Sequence, residues 1–127
     1  MAAKVVGIGM LCFIVSNFAL AQSSAQSTRK EYTPVQYFKN YALSTCIAYG
    51  FRSEKTTAEE ASAAAGGYLE LGTLPWDAHT EAALLGRKFL AREYRSMSSE
   101  KLTLMKCIDF YHSKELDRLA RKYIGKK

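Results

Sequence analysis

Two cysteines constrain this chain most. Cys46 and Cys107 each sit in a stretch of helical apolar spacing, downstream of an export signal. The signal is read from Lys4, the nearly unbroken apolar run Val5 to Leu20, and the small-x-small pattern Ala19-Leu20-Ala21. That order of features marks a cleavable signal peptide over residues 1–21. An uncleaved anchor is the competing reading, and the run is short for a membrane span of about 20 residues. Cys12 lies within the run and leaves with it, and no small-residue lipobox ends there. The mature chain then begins at Gln22 and keeps two cysteines in an oxidising compartment, where disulfides persist. An even count with no C-x-x-C pair favours one structural bridge over two buried thiols. The loop it closes holds about 60 residues, worth roughly 4 kcal/mol in the chain-entropy account. That is a large share of the about 5–15 kcal/mol that holds a typical domain together.

The rest of the mature chain reads as helices. Residues 22–32 are polar and predict a flexible leader; residues 33–127 form the folded domain. Thr33-Pro34 opens the first helix as cap and first residue, and the helix runs to about Phe51. Phe38, Tyr41, Ala42, Thr45, Cys46 and Tyr49 make one stripe along it. Thr56 and Thr57 each stand three residues before a glutamate and predict a capping box for the second helix, which ends at Gly72. Gly66-Gly67 reads as small-residue packing against another helix. Leu74-Pro75-Trp76-Asp77 starts a third helix reaching about Tyr94, with Ala82, Gly86, Phe89 and Leu90 on one face. Trp76 reads as a core plug, since tryptophans are mostly buried, with an exposed recognition residue as the alternative. Ser96 to Ser99 breaks the pattern and can cap the fourth helix. A fourth helix follows with Leu102, Met105, Ile108 and Tyr111 turned inward and Cys107 on its flank. Ser113 caps a fifth helix carrying Leu116, Leu119, Ala120 and Tyr123, with a basic end suited to the helix dipole. No strand signal occurs. The expectation is an all-α bundle of about five helices, its first and fourth pinned by Cys46–Cys107.

Charge and chemistry narrow the function. The chain carries +6 at neutral pH, and about +5 without Lys4. The bases are interspersed with acids, as on a solvated helical surface, and no aromatic-plus-basic module for nucleic acid occurs. After signal cleavage no membrane segment is expected. His79 and His112 are the only histidines. Cys107 and His112 are five residues apart, about 140° around a helix, so they do not face each other. Cys46 with His79 is conceivable, but a disulfide removes the thiolate that such catalysis needs. Two histidines and two oxidised cysteines do not close a zinc site, and there is no Gly-rich phosphate loop. No catalytic set, metal or cofactor is expected, and the physics of the chain stops at an exported binding protein.

Two strings carry a resemblance further: Tyr41-Ala42-Leu43-Ser44-Thr45-Cys46-Ile47-Ala48-Tyr49, and the longer Met105-Lys106-Cys107-Ile108-Asp109-Phe110-Tyr111-His112-Ser113-Lys114-Glu115-Leu116. Gly67-Tyr68-Leu69 and Leu74-Pro75 lie between them. With these residues the chain resembles the type VI secretion amidase immunity proteins of the fourth family, from about Tyr37 to Tyr123. The resemblance implies a periplasmic helical protein, often a homodimer, in a two-plus-two complex with a cognate peptidoglycan amidase whose substrate groove it blocks. It also implies the Cys46–Cys107 bridge. For the contact with the amidase, two groups are nominated: Trp76, Asp77, His79 and Glu81 at the start of the third helix, and Asp109, His112, Ser113 and Lys114 at the corner between the fourth and fifth. The alternative function is a periplasmic acid-stress chaperone, also small, helical and crosslinked.

Overall fold

A computed structural model describes residues 30–125; the expected signal peptide and most of the expected leader lie outside the described residues. Five helices follow in order: α1 (Pro34–Gly50), α2 (Lys55–Leu71), α3 (Trp76–Leu90), α4 (Thr103–Tyr111) and α5 (Lys114–Tyr123). Among the described residues there is no strand. The all-α bundle expected from the sequence is the fold.

α1 is the central element and touches each of the other four. It starts as Thr33-Pro34 demands: the Thr33 side chain accepts from the Gln36 N–H, and the Gln36 side chain accepts from the Thr33 N–H. Two orphan N–H groups of the first turn are satisfied reciprocally. Phe38, Ala42 and Cys46 of the expected stripe are buried, and Tyr49 at its end is partly in solvent. The expected bridge is formed, joining Cys46 to Cys107 with Cα atoms 5.7 Å apart. Around it the core gathers Ala78, Ala82 and Phe89 from α3, Phe110 from α4, and Leu116 and Ala120 from α5. Phe89 and Phe110 meet with ring centroids 5.1 Å apart. Gly86 permits that approach, because a Cβ there would lie 3.1 Å from the Phe110 ring.

Several local expectations are corrected. α2 begins at Lys55 with no side-chain cap, so Thr56 and Thr57 lie within its first turn. No atom comes within 4 Å of a Cβ built at Gly66 or Gly67, so these glycines serve no helix contact among the described residues. α3 stops at Leu90, short of Tyr94. The Leu90 carbonyl is taken by the Lys106 ammonium at 3.1 Å, and the chain leaves the helix into the segment 91–102. Trp76 is 68% exposed and is no core plug; the deeply buried residues of that turn are Ala78 and His79. α4 begins at Thr103 after Leu102, with no side-chain cap, so no serine of 96–99 caps it. It is also rotated from its expected register: Cys107 and Phe110 point inward, and Met105 and Ile108 outward. The disulfide and the Phe110–Phe89 contact fix that rotation. Tyr32, at the end of the expected leader, packs edge-on against Tyr37 and Tyr68.

Candidate binding surface

The corner between α4 and α5 is built as its sequence requires. The Ser113 hydroxyl accepts from the Leu116 N–H, and Glu115 and Asp117 occupy the first turn of α5, where negative charge suits the dipole. Lys39 of α1 donates to Asp117 at 2.7 Å and lies over the Tyr111 ring. The Lys39 hydrogen bond lowers the Asp117 pKa against a smaller opposing effect of burial. Asp109 accepts from the Tyr94 hydroxyl at 2.7 Å, tying the 91–102 segment to α4 and raising the Tyr94 pKa. Asp109, His112 and Lys114 are exposed, while Ser113 is half-buried in its capping role.

The other nominated group divides. Trp76 and Asp77 are exposed at the start of α3. Glu81 is half-buried, accepting from Lys122 at 2.7 Å and from the Tyr123 hydroxyl at 2.6 Å. These bonds to Glu81 raise the pKa of both donors. His79 cannot reach a partner surface, for it is 1% exposed. Its Nδ1–H donates to the Pro75 carbonyl at 3.0 Å, and the edges of Phe38 and Tyr41 enclose the ring. Its Nε2 is buried without a partner. Burial lowers its pKa, opposed by the Pro75 hydrogen bond.

The two groups do not converge. Glu81 near the start of α3 pairs with Lys122 at the end of α5, and Arg92, just past α3, pairs with Glu115 at the start of α5. α3 and α5 are therefore antiparallel neighbours, and the groups lie at opposite ends of α5, about 15 Å apart at 1.5 Å per residue.

Sequence reasoning missed the apolar surface beside the corner. On α4, Leu104, Met105 and Ile108 are 49%, 50% and 44% exposed. With 100° per residue they share one face, bordered by Asp109 and His112. Met97, in the 91–102 segment, is fully exposed. The clue was available in the sequence: the helix 103–111 is apolar on two sides, more than one buried stripe needs.

Cys46 and Cys107 are held in the bridge, so neither offers a thiolate. Among the described residues, no three His, Cys, Asp or Glu side chains stand close enough to share a metal ion, and no helix is long and apolar enough to cross a membrane.

These features define a class: a small helical domain pinned by one disulfide, with a rigid frame and apolar side chains presented to solvent, as in a protein-binding module. The chain belongs to the family of type VI secretion system amidase immunity proteins, whose model, Tai4, matches residues 36–120. It is similar to a chain in the solved effector–immunity system Tae4/Tai4 from Salmonella typhimurium, at 31% identity and a TM-score of 0.68, over 73% of this chain and 91% of that one. A chain from a structural study of type VI-secreted toxins and self-resistance proteins in Serratia marcescens is 29% identical, with a TM-score of 0.65 over 76% of this chain and 78% of that one. A chain of the Tae4–Tai4 complex from Enterobacter cloacae, at 22% identity, shares the fold with a TM-score of 0.65 over 73% of this chain and 97% of that one. No functionally curated protein matches at a significant level. The family expected from the two cysteine strings is the family of the chain, and it favours immunity over the chaperone alternative.

Proposed function

We propose that this protein acts in the periplasm, where it binds the peptidoglycan amidase encoded beside it and blocks that enzyme's substrate groove by steric occlusion, without catalysis of its own. One observation carries the reading: within the family-matched domain, the outer face of α4 presents Leu104, Met105 and Ile108 to solvent. Leaving three large apolar side chains together on one short helix makes physical sense when a partner covers them. Asp109, His112, Ser113 and Lys114 border this face or follow it at the corner and supply its polar rim. Trp76, Asp77 and Glu81, at the far end of α5, form a second contact region. In a homodimer one protomer can offer the α4 face and its partner the α3 start, which gives both regions a role in a two-plus-two complex. An amphipathic edge of this kind buries a few apolar anchors that dominate the affinity.

The test is co-purification on a sizing column. The wild-type chain is expected to elute with the amidase as a stable complex. Leu104→Asp/Ile108→Asp, shown folded by its helical circular dichroism, is expected to lose the complex. Equal complex formation by both proteins would remove α4 from the interface.

A further inference from the structure

A hollow of about 280 Å³ lies where α1, α2 and α3 converge beside the disulfide. Thr45 and Tyr49 of α1, Ser62 of α2, Arg87 of α3 and Arg52 of the turn after α1 line it. The Arg52 and Arg87 guanidinium carbons lie 4.6 and 4.5 Å from the centroid of the same Tyr49 ring, so at most about 9 Å separates two like charges. Arg52 is held in place by a second contact, donating to the Tyr49 carbonyl at 3.0 Å. Neither arginine has an ion-pair partner among the described residues.

The lining is unbalanced in a way that other hollows are not. It offers two guanidiniums and three hydroxyls and contains no carboxylate. The groove between α3 and α5 sets Lys88, Arg118 and Lys122 against Glu81 and Glu115. The basic hollow beside the 91–102 segment contains Glu93 and Glu100. Only at Tyr49, of these three places, are arginines gathered with nothing acidic to offset them.

We propose that the Arg52–Tyr49–Arg87 hollow is a receptor for one acidic side chain, an aspartate or glutamate, projected from the surface of the partner amidase. The chemistry fits: a guanidinium presents a flat fork that grips a carboxylate through two hydrogen bonds, and stacking on an aromatic ring orients the fork beforehand. The hollow has room for it: at about 280 Å³ it stands at the lower edge of the roughly 300–1,000 Å³ of small-molecule sites, and a carboxylate side chain enters without displacing the lining. Arginine is also among the residues that most often anchor protein interfaces. The site is separate from the α4 face and extends the contact to the junction of α1, α2 and α3. This assignment rests on the proposed inhibition of an amidase.

Inhibition of the amidase encoded beside the gene provides the test, with the full mature chain. Arg52→Glu/Arg87→Glu reverses the charge of the hollow at two solvent-exposed positions, and Ser62→Glu places a carboxylate in it from the exposed side of α2. Both variants are expected to inhibit at least tenfold more weakly than wild type while keeping its helical circular dichroism. Wild-type inhibition is also expected to weaken between low and moderate salt, and the double variant to lose that salt response. Wild-type potency in both folded variants would overturn the proposal and leave the hollow at most a site for free anions. Failure of the wild-type chain itself to inhibit would refute the functional reading and this site together.

Discussion

At the residue scale, His79 shows what sequence can and cannot locate. Its position three residues after Trp76 made it a neighbour in any surface drawn from the chain, yet the fold turns Trp76 out and His79 in. Both residues open α3, and only the packing of Phe38 and Tyr41 against one side of that turn decides which is buried. The burial has a consequence for stability. In the unfolded chain the imidazole takes up a proton near pH 6.5. In the fold burial holds its pKa lower, and a second proton on Nε2 would have no acceptor. Between the two values the unfolded chain binds more protons, so this contribution is complete above about pH 6.5 and is lost as the pH falls through the folded value. Urea unfolding at pH 7.5 and 5.5 checks it: the midpoint of the wild type should drop over this interval, and that of His79→Phe should drop less. An equal drop would mean that His79 takes up its proton in the fold as readily as in the unfolded chain.

At the scale of elements, signals that act through neighbouring residues were legible, and choices made by tertiary packing were not. Thr33-Pro34 and Ser113 act through their own neighbours, so their caps could be read locally, and both form. Removing the Ser113 hydroxyl leaves the Leu116 N–H without its partner. Ser113→Ala should therefore cost about 1 kcal/mol of stability, seen as a lower denaturant midpoint with an unchanged slope. A loss below a few tenths of a kcal/mol would show that water replaces the cap. The rotation of α4 was not legible, because Leu104, Met105, Cys107, Ile108 and Phe110 supply apolar residues on both sides of a nine-residue helix. The choice between the sides is tertiary: Cys107 must reach Cys46, and Phe110 must fill the space above Gly86. The same ambiguity that hid the core face concealed the exposed one. The false capping boxes at Thr56 and Thr57 have a related cause, since a Ser/Thr-to-Glu spacing fits the first turn of a helix as well as its cap.

At the scale of the molecule, the bundle could be read because its major constraint is covalent and its helices are strongly periodic. The one bridge joins α1, which touches every other helix, to α4, which carries the exposed apolar face. Removing it with Cys46→Ala/Cys107→Ala should cost about 2–5 kcal/mol, most simply seen as a fall in thermal midpoint. A variant as stable as the wild type would place the stabilisation in the noncovalent core instead. The interaction surfaces were less legible, because they depend on which helix faces remain uncovered after packing. That is why Met105 and Ile108, expected inside, end in solvent, while His79, nominated for contact, ends in the core. The role proposed for this frame is to occlude an amidase. The most direct measurement is a titration of the neighbouring amidase, on a crosslinked wall-peptide substrate, with the purified mature chain. Activity is expected to fall linearly and reach zero at one immunity chain per enzyme; full activity at a severalfold excess of folded protein would contradict that role.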